Sequence, residues 1–488
     1  MPVKLNSIIA AIVLSSVFPP LHAQQSPSVP EHDMHMHDHM NMQPIEPVYP
    51  RLGRTQEQSH DKLFTLDDAQ RLASRSNPTL RQAEADIRAA KARAQQAELY
   101  PNPSIGYTGD EIRGGSNNGG KQGFFVEQPI VTGGKLSKAR NVFEQETRIA
   151  EIEAQEQKTR VEAAVKIAFY RVLAAQELLE LRRDLSNIGE LHLQSQNELS
   201  RTGQVDETEK LESEITVQRL QLAALEQENM LREEWRKLAA ILGQPDLPQS
   251  TVAADLEHGW PEINEQQILD TIATQSPATR IADVSSARAT ADIARAKSQV
   301  IPDINLLGGL EYNNEPIGGT PKATGWEGLA ELSVQIPIFN RNQGNIAESR
   351  AELDRAQLEK QRIQLLLRER AASVLDQYAT AKVVATQYRD EILPRAQKAN
   401  ALMTAKYGLM QATYPSMLDT RRKNFELETE YVQTLAIVWT TSLALQGFLL
   451  TDGLEAPTRS SNLDHSMPEA STPTPTRVLL PTQQMPLP

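Results

Sequence analysis

Apolar residues along most of this chain recur at spacings of three and four. Between residues 135 and 201 no proline interrupts the pattern, and Val161, Val165, Ala168, Val172, Ala175, Leu178 and Leu179 share one side, with Glu, Arg and Gln between them. This spacing predicts an amphipathic helix. At 1.5 Å per residue it would run about 100 Å, whereas globular helices usually stop near about 20 residues. Ser186-Asn187-Ile188-Gly189 is the one weak point in it and is expected to mark a local irregularity. A return helix is predicted from about residue 207 to 242, with Leu211, Ile215, Leu220, Ala224 and Leu231 on its apolar side. Gly203 lies between the two and is expected to supply the reversal, since glycine tolerates positive φ. A second pair follows. Its first helix, from about 344 to 406, carries Ala351, Leu358, Ile363, Leu366 and Val374, and its return helix runs to about 450. The turn between them is Tyr407-Gly408-Leu409-Met410. Pro394 should kink the first of these helices by removing a backbone donor.

Four short segments have period two instead. In residues 326–338, Ala330, Leu332, Val334, Ile336 and Ile338 share one parity, against Glu331, Ser333 and Gln335. Residues 303–312 alternate similarly, and 102–110 and 122–130 do so less cleanly. This is the length and pattern of a lipid-facing barrel strand. The connecting stretches, 111–121 and 313–325, are rich in Gly, Asn and Pro and read as exposed turns. Four strands cannot close a barrel, which needs about eight, and open edges are not tolerated in lipid. The chain must therefore oligomerise if it spans a membrane, and three copies would supply twelve strands. The competing reading is a small soluble sheet capping a coiled coil.

The order of these signals occurs twice. Asn77-Pro78 and Ser276-Pro277 open equivalent helical stretches. Tyr100-Pro101 and Ile301-Pro302 break them before the strands, and Pro129-Ile130 and Pro337-Ile338 close the strands. An internal duplication of this size constrains the fold more than any local motif does. The predicted organisation is a signal peptide over 1–23, a disordered His/Met-rich segment over 24–62, a first repeat over 63–250, a second over 251–454 and a disordered Pro/Ser/Thr-rich tail over 455–488.

The ends and the composition narrow the class. Lys4, the apolar run of residues 8–17 and Leu21-His22-Ala23 before Gln24 read as a secretory signal. No later stretch approaches the about 18 apolar residues of a spanning helix. The chain has no cysteine, which excludes disulfides, thiolate metal sites and thiol catalysis, and also excludes a lipoprotein. The net charge of −13 argues against nucleic acid as a partner. No nucleophile triad, phosphate loop or paired-carboxylate motif stands out, and no active site is read.

The ordered duplication resembles the TolC-type outer-membrane factors, and with it the His/Met-rich residues 31–42 point to their heavy-metal branch, served by resistance-nodulation-division (RND) pumps. The residues carrying the resemblance are Leu66-Asp67-Asp68-Ala69 with Asn77-Pro78-Thr79-Leu80. To these are added Pro129-Ile130 with Gly134, Pro337-Ile338 with Gly344, the tip glycines Gly203 and Gly408, and Leu418-Asp419 with Arg421-Arg422. The resemblance implies an α+β membrane protein. A trimeric β-barrel with four strands per protomer would continue into a long periplasmic α-helical barrel. It implies a homotrimer in outer-membrane lipid, working with a periplasmic membrane-fusion adaptor and an inner-membrane RND pump, and no catalysis. It also places adaptor-docking tips at 201–206 and 406–410, with Gly203, Val205, Gly408 and Leu409 as contacts. Asp206 and Glu207 are candidates for an acidic pore ring that favours cations. The alternative is that they serve the N-terminal end of a helix dipole.

Residues 31–42 interleave His32, His35, His37 and His39 with Met34, Met36, Met40 and Met42. Imidazole and soft thioether together, without thiolate, suit copper or silver as a transient ion better than zinc. A polar linker that binds metal incidentally is the plainer reading. His192, His258 and His465 are far apart in sequence and are expected to be ordinary surface histidines. The expected function is the exit duct of a heavy-metal efflux system, with copper or silver preferred and cobalt, zinc or cadmium second. A drug-efflux or type I secretion duct and a periplasmic coiled-coil structural protein are the alternatives.

Overall fold

Each half of the chain begins with two capped helices. The computed structural model describes residues 63–110, 120–202, 205–316 and 323–457. Helix α1 spans Leu66–Ser76 and α2 spans Pro78–Glu98. Thr65 and Asp68 cap α1 reciprocally: the Asp68 amide donates to Thr65 Oγ1 at 3.2 Å and the Thr65 amide donates to Asp68 Oδ2 at 3.3 Å. Asn77 caps α2, and Pro78 occupies its first turn, where no amide is missed. The same device opens the second half, where α5 (Glu265–Gln275) is capped by Asn264 and α6 (Pro277–Ser298) by Ser276.

The long helices are as long as the pattern predicts. Helix α3 runs unbroken over Lys135–Arg201, 67 residues, and α4 returns over Glu207–Ile241. The expected irregularity at Ser186-Asn187-Ile188-Gly189 does not occur. Gly189 is a packing notch, because a Cβ there would stand 2.8 Å from Leu220 Cδ1 on α4. In the second half α7 covers Gln343–Gln387 and α8 Leu393–Gly408, with a single π-turn, Tyr388–Ile392, between them. Pro394 accounts for it. The proline has no amide for the Asp390 carbonyl and its ring crowds that carbonyl. The turn before it widens, so the Leu393 amide donates to the Tyr388 carbonyl five residues back. Helix α9 (Tyr414–Gln446) completes the second hairpin.

Within the predicted turn of the second tip the left-handed residue is Met410 (φ 56°), and Gly408 is the last residue of α8. Its geometry closes α8 through Gln411 donating to the Lys406 carbonyl at 2.9 Å. At the start of the long helices Gly134 (φ 66°) and Asn342 (φ 55°) play equivalent parts, while Gly344 lies inside α7.

Strands β1 (Ser104–Asp110), β2 (Lys121–Ile130), β3 (Ile304–Pro316) and β4 (Ala323–Val334) form one antiparallel sheet in the order β1-β2-β3-β4. β3 and β4 extend into the stretch expected to be a turn, and β4 ends at Val334, so Ile336 and Ile338 lie beyond it. The pairing β2–β3, from Lys121↔Asn313 to Ile130↔Ile304, joins the two halves. The register sorts the faces. Tyr107, Phe124, Val126, Leu306, Leu310, Tyr312, Trp326 and Leu332 fall on one side, and all are exposed. The other side carries Lys121, Glu311 and Glu327, with Lys121 Nζ at 3.4 Å from Glu327 and 3.8 Å from Glu311. The chain thus presents apolar side chains outward on one sheet face and an ion-paired polar face on the other.

The core lies between the helices. α3 packs on α2, α4, α6 and α9, and α7 packs on α6 and α9. Phe169, Leu173, Leu238, Tyr431 and Leu435 are fully buried there. The connector between the halves wraps this bundle and is held by donors from it. Trp235 Nε1 donates to the Leu247 carbonyl at 3.0 Å, Trp439 Nε1 to Leu256 at 2.8 Å and Tyr378 Oη to Pro261 at 2.6 Å. Among the described residues no helix is long and apolar enough to cross a membrane.

Candidate functional site: the helical tips and the hairpin contact

The residues expected at the tips fall at two turns. Asp206 caps α4, with the Glu207 amide donating to its Oδ1 at 2.8 Å, and Glu207 sits in the first turn. Both are exposed and Val205 is half-buried, while Gly203 lies outside the described residues. Asp206 therefore has the local role of a helix cap, and both carboxylates favour the positive end of the dipole. At the second tip Leu409 and Met410 are 69% and 93% exposed. Two bulky apolar groups left in water at a helical turn make an unsatisfied surface.

His192 is not an ordinary surface histidine. Its ring stacks on Tyr414 at 3.4 Å between centroids and 9° between planes. Tyr414 meets Tyr407 edge-on at 5.6 Å. Gln196 Nε2 at 3.3 Å and Ser213 Oγ at 3.4 Å stand against His192 Nε2. This cluster joins α3 and α4 of the first hairpin to α8 and α9 of the second. Burial pushes the His192 pKa down to about 4 and that of Tyr414 up to about 12. Both rings are neutral at neutral pH. Sequence reading missed the cluster because its members lie far apart in the chain and each, alone, fits a helix surface. His258 differs: it is exposed and pairs with Asp255, Nδ1 to Oδ2 3.0 Å. His465 lies outside the described residues.

Further from the tips, α9 carries polar side chains where the pattern expects apolar ones. Asn424, Glu428 and Tyr431 are 7%, 3% and 0% exposed. Asn424 Nδ2 donates to Glu428 Oε1 at 2.9 Å. Burial pushes the Glu428 pKa up to about 7, opposed by the Asn424 hydrogen bond and helped by the negative charge of Asp184 on α3. On α3 itself burial pushes Glu177 up to about 7, with Glu180, Glu257 and Asp255 adding to it. The π-turn faces the connector here, with the Arg389 guanidinium 5.6 Å from the Trp260 ring centroid.

No three His, Asp or Glu side chains among the described residues gather as a metal site. The candidate ligands His32, Met34, His35, Met36, His37, His39, Met40 and Met42 lie outside the described residues. What the described residues offer is a wall: long helices with neutral aromatic contacts between hairpins and a two-faced sheet.

The sequence pattern that defines outer membrane efflux proteins matches this chain twice, over residues 70–244 and 269–448. The chain belongs to the outer membrane efflux protein family. It is a passive efflux channel of the outer membrane that extends into the periplasm, not an enzyme, and the coiled-coil structural alternative falls. The channel is 22% identical over 386 residues to the cobalt-zinc-cadmium resistance protein CzcC of Cupriavidus metallidurans, covering 79% of this chain and 90% of that one. It is also 22% identical to the nickel-cobalt-cadmium resistance protein NccC of Alcaligenes xylosoxydans xylosoxydans, over 58% of this chain and 64% of the relative. Among solved structures, CusC, described as a transmembrane channel, aligns with a TM-score of 0.64 at 15% identity, covering 84% of this chain and 98% of that one. At that identity the likeness establishes the fold.

Proposed function

We propose that this channel is the outer-membrane exit duct of a heavy-metal efflux assembly. The observation that carries the reading is the match to CzcC along 90% of that protein's length. The duct works as a homotrimer docked on a periplasmic adaptor and an inner-membrane RND pump. Two features support the trimer. β1 and β4 each leave one edge with no described partner, and such edges need pairing in lipid. Leu211, Ile215, Leu222 and Leu225 on α4, together with Leu358 and Leu365 on α7, are more than half exposed, which suits coverage by neighbouring protomers. Three sheets would close a twelve-stranded barrel. Gly203, Val205, Gly408 and Leu409 are the adaptor contacts in this reading, and Asp206 and Glu207 repeat around the pore mouth as an acidic ring for cations. The twofold element order supports an internal duplication with halves at 63–250 and 251–454.

For the ion, the names of both relatives favour cobalt with cadmium, and zinc or nickel. The His/Met segment 31–42 favours copper or silver through its thioethers and serves as a transient metal site. The test is metal accumulation in cells with and without this gene, challenged in parallel with Cu, Ag, Co, Zn, Cd and Ni. Extra retained copper or silver in the deletion strain supports the thioether reading. Extra cobalt, zinc, cadmium or nickel overturns that ion choice and keeps the metal class. No change for any metal, with altered drug susceptibility, moves the channel to the drug or secretion branch. Removing residues 31–42 alone should lower metal tolerance and leave the oligomer intact.

A further inference from the structure

The polar stripe on α9 has no part in the reading above. Asn424, Glu428 and Tyr431 follow each other at helical spacing and are all more than nine-tenths buried. One arm of the Asn424–Glu428 contact is made, from Nδ2 to Oε1 at 2.9 Å. The other arm is missing. Glu428 Oε2 and Asn424 Oδ1 are both buried without a hydrogen-bond partner, as is Tyr431 Oη. Two acceptors cannot satisfy each other, and buried polar groups without partners are costly. A single proton removes both faults. Placed on Oε2, it gives a donor for Oδ1 and closes a two-armed acid–amide pair, with Nδ2 donating to Oε1 and Oε2 donating to Oδ1.

Among the described residues no cation acts on Glu428. The charge that acts on Glu428 is Asp184 from α3, of the same sign. One turn away Tyr431 feels Arg389 and Asp390 from the π-turn and Asp255 and Glu257 from the connector, a balance of one cation against three anions. α9 packs along α3 at this level and against α7 and α8 on its other sides. We propose that Glu428 is a proton-binding latch in the channel wall: protonated, it lets α9 of the second hairpin lie against α3 and its Asp184, and losing the proton sets two carboxylates facing across that contact and loosens it. Deprotonation leaves a buried carboxylate facing Asp184 with both acceptors unpaired, and water reaches it only if the helices part. The sign agrees with the titration of the site. A carboxyl raised to about 7 binds its proton more tightly in the packed helices than in water. Packing is therefore firm in acid and weakens as pH rises through neutrality.

The latch rests on the channel reading for its consequence, but its test does not. Amide hydrogen exchange of the purified full-length protein in lipid nanodiscs, expressed as protection factors, should show α9 around residues 424–431 losing protection on the order of 100-fold between about pH 5 and about pH 8. Glu428→Gln supplies a permanent amide donor to Asn424 Oδ1 and should keep the protection at both pH values. Asp184→Asn leaves the stripe intact and should move the transition to lower pH. An unchanged transition in Glu428→Gln overturns the latch, and so does an absence of any transition in the wild-type protein. If Glu428→Gln does not assemble, the shift or its absence in Asp184→Asn decides. Single-channel conductance run beside it separates the two readings: a channel without the pH transition removes the latch alone, whereas no conductance at any pH strikes the duct itself.

Discussion

Replacing Asn77 should damage this protein far more than replacing its counterpart Ser276, although both do the same local job. Ser276 Oγ accepts from the Thr279 amide at 3.2 Å and contacts the Thr279 hydroxyl at 3.0 Å. Asn77 Oδ1 accepts from the Thr79 amide at 2.9 Å and its hydroxyl at 2.7 Å. Asn77 also donates. Its Nδ2 reaches the Ile241 carbonyl at the end of α4 at 2.8 Å and the Gly453 carbonyl at 3.2 Å. The side chain, 1% exposed, therefore ties three parts of the chain together. Loss of a cap costs about 1 kcal/mol. Each buried carbonyl left without its donor costs about 1 kcal/mol or more. Ser276→Ala should thus cost about 1 kcal/mol and Asn77→Ala about 3 kcal/mol. Asn77→Ser keeps the cap and loses both ties, so it should fall between them. Asn77→Asp keeps the cap and points a carboxylate at two carbonyls, so it should be the worst. Urea unfolding of the detergent-solubilised protein, followed by far-ultraviolet circular dichroism, gives the ranking. Equal midpoints for Asn77→Ala and Ser276→Ala would refute the argument.

Three further outcomes follow from the described geometry. Glu177, raised from 4.5 to about 7, favours the folded state fully below about pH 4.5 and loses up to about 3 kcal/mol as pH climbs to about 7; Glu177→Gln should unfold later than wild type at about pH 8 and match it in acid, and a parallel pair of curves would contradict this. His192 is neutral from about pH 5 upward, so His192→Phe should preserve the stack on Tyr414 and the resting conductance, whereas His192→Ala should raise conductance by loosening the hairpins; identical traces for both count against the contact. A Cβ at Gly106 would stand 2.3 Å from the Phe125 ring that lies over it, so Gly106→Val should lower the yield of heat-resistant oligomer in membranes, with Phe125→Ala in the same chain restoring part of it.

Much of this fold was legible because long-range periodicity is a strong signal. The 67-residue α3 declared itself by the absence of proline and a sustained apolar stripe, and Pro394 announced a break in the second long helix, though not that it takes the form of a π-turn. The strands of the second half were legible from strict alternation. Those of the first half were less so, because Gly106, Gly109 and Gly123 leave gaps in the alternation, and their faces are assigned by the pairing of β1 with β2 and of β2 with β3. What could not be read were contacts between distant helices. The notch at Gly189 looks like a helix breaker until Leu220 is seen beside it. Met410 in a left-handed conformation has no local signature, and neither does the burial of Glu428, since a glutamate on a long helix is ordinarily a solvated one. His192 belongs to the same class: nothing in its neighbours in sequence points to Tyr414.

The pairing of β2 with β3 has a consequence for how the protein is made. Ile130 meets Ile304 across the sheet, yet α3, α4, α5 and α6 all lie between them in the chain. The edge of β2 that takes β3 must therefore wait unpaired until both helices of the first hairpin and the start of the second half have been delivered. Pairings between such remote segments form slowly, because the loop must close before any contact rewards it. During that interval the backbone groups of that β2 edge are open to wrong pairing. That hazard to β2 ends when the strand from Ile304 to Asn313 pairs with it.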